Sequence, residues 1–213
     1  MILTLSHQKG GVGKSTVAWN LAVNFSKIID TRIVDLDTQR SLTVTNALRR
    51  ENDLKPITML HFDTAEQLAE YAQDDTDDVL TIIDSGGFDS AFNRVAIVAS
   101  DAVITPISDK PFDLMGLQKY EEILKTLSDI QGETIKTHVL FNNINPAMKR
   151  FGELVDFVCG SEHYELLVSV LRQRVDFAHS VGEGKSIKEY RIFSKADQEM
   201  DELFEETKAL LNI

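Results

Sequence analysis

Gln8-Lys9-Gly10-Gly11-Val12-Gly13-Lys14-Ser15-Thr16 is the stretch on which the fold turns. It stands between an apolar run, Ile2 to Leu5, and a segment whose apolar residues Val17, Ala18, Leu21, Ala22 and Phe25 recur at helical spacing. A glycine-rich turn from a strand into a helix aims successive backbone N–H groups, and the positive end of the helix dipole, at one spot. Gly10, Gly11, Val12, Gly13, Lys14, Ser15 and Thr16 are therefore the candidate phosphate-binding residues. Lys14 is placed to reach β- and γ-phosphates, and the Ser15 hydroxyl to ligate Mg²⁺. The common loop is G-x-x-x-x-G-K-[ST], but Gln8 stands at its first glycine and a second lysine, Lys9, follows. Lys9 alone reads equally well as a solvated loop residue.

Composition narrows the setting. The 213 residues suit one domain, and 43% apolar content supports a substantial core. A single cysteine, Cys159, excludes an internal disulfide framework or a dense cysteine metal cluster and fits a reducing cytoplasm. No apolar run reaches the ~20 residues needed to span a bilayer. The chain enters strand and loop at once, so no signal peptide is expected. The net charge of −12 repels nucleic acid and anionic lipid at long range, and the runs Asp63 to Asp78 and Asp197 to Glu206 read as solvated faces.

Beyond the loop, strands are expected at Thr31 to Asp37, Pro56 to Leu60, Val79 to Ile83, Ala102 to Ile107 and Lys136 to Phe141. Helices are expected from Gln39 to Leu48, Thr64 (as N-cap) to Ala72, Ala91 to Ala99, Leu114 to Leu127, Ala147 to Val158, and Lys195 to Leu211. Continuous apolar strands alternating with helices indicate an α/β fold, a doubly wound and mostly parallel sheet covered on both faces. No repeat or linker interrupts the region 1–213, read as a single P-loop domain.

Ligands of such sheets sit beyond the carboxyl ends of the strands, where three polar clusters converge: the loop, Asp35-Leu36-Asp37 and Asp84-Ser85-Gly86-Gly87. Asp84 suits a carboxylate near Mg²⁺, although its sequence is also good turn composition. Asp35 and Asp37 share one face of an extended strand. One arrangement has Asp37 orienting an attacking water and Asp35 supporting the metal's water shell; a polar strand end is the plain alternative. The five histidines show no metal-ligand spacing, and His7 reads as structural.

The combination K-G-G-V-G-K-S-T, V-D-L-D-T-Q and T-I-I-D resembles the deviant Walker A ATPases of the ParA/MinD group, most of all the small plasmid-type partition ATPases. The likeness extends to V-I-T-P-I-S and to Leu171-Arg172-Gln173-Arg174 with Gly184-Lys185-Ser186-Ile187, similar to the I-P-R-x-x-R and G-x-x-I region of partition proteins. The resemblance implies ATP/ADP and Mg²⁺ as cofactors, and a homodimer with two ATP molecules sandwiched between protomers. Lys9 would be the signature lysine acting in trans, Asp37 the water-positioning residue, Ser15 and Asp84 the Mg²⁺ residues, and Asn142 a purine contact. It also implies non-specific DNA binding in the ATP state, nucleoid association within the cytoplasm, and a ParB-like or other adaptor that stimulates hydrolysis. Thr38 and Ser85-Gly86-Gly87 stand where the family commonly has prolines, which is expected to loosen both loops without removing a catalytic group.

Arg172, Arg174, Lys185, Lys188, Arg191 and Lys195 form the candidate DNA-binding set, although Asp176, Glu183 and Glu189 interleave. A MinD-like membrane role would call for a basic amphipathic tail, whereas Asp201 to Ile213 is acidic; no membrane partner is expected. Positioning a protein assembly rather than DNA is the alternative to this reading, and a purely structural nucleotide-bound scaffold is also left open by these residues.

Overall fold

The structure, a computed structural model, describes residues 1–74, 76 and 78–213. Two positions of the acidic run, Asp75 and Asp77, thus lie outside the described residues; Asp63, Glu66, Glu70, Asp74 and Asp78 are exposed, as a solvated face requires.

Strands β1 (Ile2–Leu5), β2 (Asp30–Asp35), β3 (Thr58–Leu60), β4 (Val79–Asp84), β5 (Ala102–Ile107), β6 (Thr137–Ile144) and β7 (Tyr164–Arg172) form one sheet in the order β3-β2-β4-β1-β5-β6-β7. Every pairing in it is parallel. Between them run α1 (Lys14–Phe25), α2 (Ser41–Glu51), α3 (Ala65–Gln73), α4 (Ala91–Val98), α5 (Pro111–Gln131) and α6 (Gly152–Gly160), and after β7 come α7 (Val175–Gly182), α8 (Ile187–Tyr190) and α9 (Lys195–Leu211).

Alternate strand residues serve opposite faces. Leu3, Leu5, Ile33 and Ile104 join α1 and α9 through Trp19, Leu21, Phe25, Met200 and Leu203. On the other face, Val103, Ile107 and Val139 meet α5 and α6, while Ile2, Val34 and Ile83 meet α3 and α4. Burial of each large apolar side chain contributes about 1.5–3 kcal/mol, and both faces are filled this way. Local signals agree with the packing: Thr64 caps α3 by accepting from the Gln67 N–H, and Gly132 ends α5 at φ 74°.

Two expectations are corrected. The helix expected from Ala147 begins at Gly152, because the Arg172 guanidinium donates to the carbonyls of Asn145 (3.3 Å) and Met148 (2.5 Å), holding residues 145–151 as a loop. Strand β7 is an addition that the apolar pattern did not reveal. It pairs with β6 through two register shifts, so its alternation is broken.

Candidate nucleotide site

The sheet order places β1 at the centre, between β4 and β5, and the chain leaves it through residues 6–13 into α1. Gly13, the N-cap of α1, has φ 93° and offers no side-chain cap, so the first-turn N–H groups of α1 are left to bind a ligand. Gly11 has φ 78°. A Cβ on Gly13 would collide with Asn142 Nδ2, and one on Gly87 would lie 3.1 Å from the Gly10 nitrogen. The loop after β4 therefore packs backbone to backbone against the phosphate loop. Asn93 holds it there, accepting from the Gly86 N–H and donating to the Gly86 carbonyl. The glycines at 86 and 87 thus make a braced contact.

A cleft of about 610 Å³ opens over these residues, lined by Gly10, Gly11, Gly13, Lys14, Ser15, Thr16, Asp37, Thr38, Gln39 and Gly87 among others. That volume lies in the ~300–1,000 Å³ range of small-ligand clefts. Lys14 is buried, and its ammonium donates to the carbonyls of His7 (3.2 Å) and Lys9 (3.3 Å), inside the arch of the loop. Burial lowers its pKa, while Asp84 and Asp37 pull the other way.

Asp35 and Asp84 are register partners at the ends of β2 and β4. Asp35 Oδ2 accepts from the Thr43 N–H and hydroxyl, both at 2.9 Å, fastening the start of α2, while Oδ1 is buried with no partner. Asp84 is fully buried, and neither carboxylate oxygen has a hydrogen bond of good geometry. Burial pushes its pKa up to about 7; the nearby Ser15 hydroxyl and Lys14 ammonium oppose this, and Asp35 and Asp37 add to it. A buried carboxylate with both oxygens unsatisfied, beside a hydroxyl at the mouth of an N–H cradle, is a donor set that fits a divalent cation. Asp37 sits at the cleft edge, half-exposed, its Oδ1 accepting from the Gln39 N–H at 2.9 Å.

Lys9 is not among the described residues lining the cleft. Its ammonium is ion-paired to Asp113 in the first turn of α5, whose other oxygen accepts from the Ser108 N–H (2.9 Å) and hydroxyl (2.5 Å). His7 braces the same corner: its Nδ1 accepts from the Lys9 N–H at 2.8 Å and its ring stacks on Tyr120 at 5.9 Å. Asn142 lies under the loop, donating to the Val12 carbonyl at 2.7 Å. Sequence reading missed Asp113 and Asn93, and the tie from Asn142 to the loop. A helix-start acid and two amides carry no motif that singles them out.

The six basic residues of the candidate DNA-binding set are not brought together as free cations. Arg174 pairs with Glu199, Lys185 with Glu183, Lys188 with Asp201 and Arg191 with Asp176. Arg172 is bound to carbonyls, and Lys195, at the start of α9, has no acid partner among the described residues.

Sheet order, loop and paired carboxylates together define a P-loop nucleotide-binding protein. The chain belongs to the CobQ/CobB/MinD/ParA nucleotide binding domain family, whose model matches residues 3–187. It is 30% identical over 152 residues to Protein ParA of Rhizobium radiobacter, covering 70% of this chain and 67% of that protein. Its fold is similar to that of a Cyanothece McdA variant in complex with ATP, with TM-score 0.72 and 17% identity over 100% and 96% of the two chains. It is also similar to the MinD cell division protein of Aquifex aeolicus, with TM-score 0.74 and 14% identity over 98% and 97%. No described helix is long and apolar enough to cross a membrane.

Proposed function

We propose that the chain is an ATP-dependent molecular switch: two protomers close on two ATP molecules, the closed dimer binds DNA without sequence preference, and hydrolysis stimulated by an adaptor protein reopens it. In the cell this would segregate or position a cargo such as a plasmid or chromosome region. The observation that carries the reading is the pair of lysines on one loop, with Lys14 inside the cradle and Lys9 outside it, held at the α5 corner.

The N–H groups of the loop and of the first turn of α1 cradle the β- and γ-phosphates, and Lys14 adds its charge. Ser15 and Asp84 would hold Mg²⁺, which supplies positive charge against the phosphate oxygens. Asp35 anchors α2 through Thr43 and so fixes the segment bearing Asp37. Asp37 orients a water toward the γ-phosphorus. The water forms the new P–O bond as the bond to the β–γ bridging oxygen breaks, giving ADP and phosphate. Lys9 of one protomer stabilises charge on the phosphates held by the other, the logic of a finger residue supplied in trans. Asn142, fixed beside Gly13, borders the purine.

The tail helix counts against a lipid-associated role. The apolar face of α9, with Met200, Leu203 and Leu211, is spent on the core. The test uses the purified chain with ATP or ADP and long random-sequence duplex DNA. ATP is expected to give a dimer by light scattering and to retain the DNA, and ADP to do neither; equal retention with both nucleotides would overturn the switch.

A further inference from the structure

Four of the six cations that the sequence pattern put together face an acid of their own protomer, Lys185, Lys188 and Arg191 among them. Lys110, at the start of α5, and Lys149 and Arg150, in the loop before α6, are exposed and have no acid within ion-pair distance among the described residues. The two loops are joined, because the Asn145 N–H donates to the Asp109 carboxylate at 3.2 Å. Arg172 ties in the third: it is the register partner of Ile144, its guanidinium reaches the Asn145 and Met148 carbonyls, and it lies 6.0 Å over the Phe151 ring. Lys110, Lys149, Arg150 and Arg172 thus stand on joined segments at the carboxyl ends of β5, β6 and β7, the sheet end that carries the phosphate loop. Asp109 and Glu153 lie on these segments, the first engaged by Asn145; Glu199 of α9 accepts from the Arg172 N–H at 2.9 Å but is paired with Arg174, and Asp113 of α5 is paired with Lys9.

We propose that this surface is where the phosphate backbone of duplex DNA docks, in place of the Lys185–Arg191 segment; the inference rests on the DNA-binding reading above. A lysine already paired must leave its acid to meet a phosphate, and the acid stays behind to repel it. Lys149 and Arg150 present uncompensated charge and release phosphate counterions on contact. With a net charge of −12, attraction has to be short-ranged, within about 8 Å at physiological salt, so it needs cations that are free where they stand. Exposed Met115 and Val175 stand on the neighbouring helices, but none of the exposed large apolar side chains described falls within residues 145–151, so the loop bearing Lys149 and Arg150 suits a nucleic-acid backbone better than a lipid surface. Its position at the nucleotide end of the sheet, the end on which the proposed dimer closes, links DNA contact to ATP.

The test compares the wild-type chain with Lys149→Glu/Arg150→Glu and Lys185→Glu/Lys188→Glu double variants, each with ATP, on a random-sequence duplex over a range of salt. Arg172 is left unchanged because it braces the loop. The first variant is expected to bind at least tenfold more weakly, with a salt slope shallower by about two to four units per dimer, while dimerisation and ATP turnover stay at the wild-type level. The second variant is expected to remain within threefold of wild type. Unchanged DNA retention by the first variant, or a greater loss in the second, overturns the proposed surface while leaving DNA binding standing. A wild-type chain that retains no DNA with ATP overturns both. Loss of binding to anionic vesicles by the first variant, with DNA retention unchanged, reassigns the surface to lipid and overturns the proposal.

Discussion

The Lys9 ammonium is ion-paired to the buried Asp113 carboxylate, so the phosphate loop and the first turn of α5 are joined by one charge contact. Asp113 is fixed from behind by Ser108, and its pKa is lowered: burial raises it, but the Lys9 and Ser108 contacts more than offset that. A lysine that must reach a second protomer has first to leave this partner. Asp113→Asn keeps the shape and most of the Ser108 contact while weakening the hold on Lys9. The variant should dimerise with ATP at roughly fivefold lower protein concentration, about 0.5 kcal/mol for each of the two pairs released per dimer. Analytical ultracentrifugation measures this. An unchanged midpoint would mean that the pair does not restrain Lys9.

Asn142 is the floor of the phosphate loop, bonded to Val12 and facing Gly13 at a distance that admits no Cβ. Asn142→Ala removes a buried hydrogen bond and leaves the Val12 carbonyl unpaired. A loss of about 1–2 kcal/mol in urea unfolding is expected, with ATP affinity down on the order of tenfold. Gly13→Ala, which adds a side chain at φ 93°, should abolish nucleotide binding outright. Wild-type affinity in both variants, by titration with a fluorescent ATP analogue, would remove Asn142 and Gly13 from the site.

His7 should titrate far below an ordinary imidazole. Burial, then Lys14, brings its pKa down to about 4, partly offset by Asp113. Because Nδ1 accepts from the Lys9 N–H, the ring proton of the neutral form sits on Nε2. The folded state thus refuses a proton that the unfolded chain takes up near pH 6.5, and stability falls as pH drops from 6.5 to about 4. The contribution is at most about 3 kcal/mol. The imidazole nitrogen shifts by NMR should show His7 neutral at about pH 5.5, and His7→Gln should flatten the stability profile in that window. A midpoint near the ordinary imidazole value would contradict the burial account.

The loop, the strands and the covered parallel sheet were legible because each leaves a local mark: a glycine spacing, an apolar run, a capping residue such as Thr64. What the chain does over distance left none. The register shifts between β6 and β7 broke the alternation that would have marked Tyr164–Arg172 as a strand. Arg172 holds Asn145 and Met148 out of a helix from 24 or more positions away. Glu199 and Asp201, on α9, neutralise Arg174 and Lys188, so a run of basic letters was not a basic surface. Asp113, just ahead of the helix expected from Leu114, carried no mark and turned out to hold the lysine that the sequence had singled out.

That lysine gives the most direct test of the whole account. Lys9→Ala removes a side chain outside the cleft of its own protomer, and the backbone N–H groups and Lys14 that hold the phosphates remain. ATP turnover of the variant, measured beside its ATP affinity and its mass in solution, decides the matter. The expected result is ATP binding within about threefold of wild type, no ATP-dependent dimer, and turnover reduced roughly a hundredfold or more, in line with loss of a charge supplied in trans. A variant that binds ATP, dimerises and turns over like the wild type would contradict the reading of Lys9 as a residue that works on its partner's nucleotide.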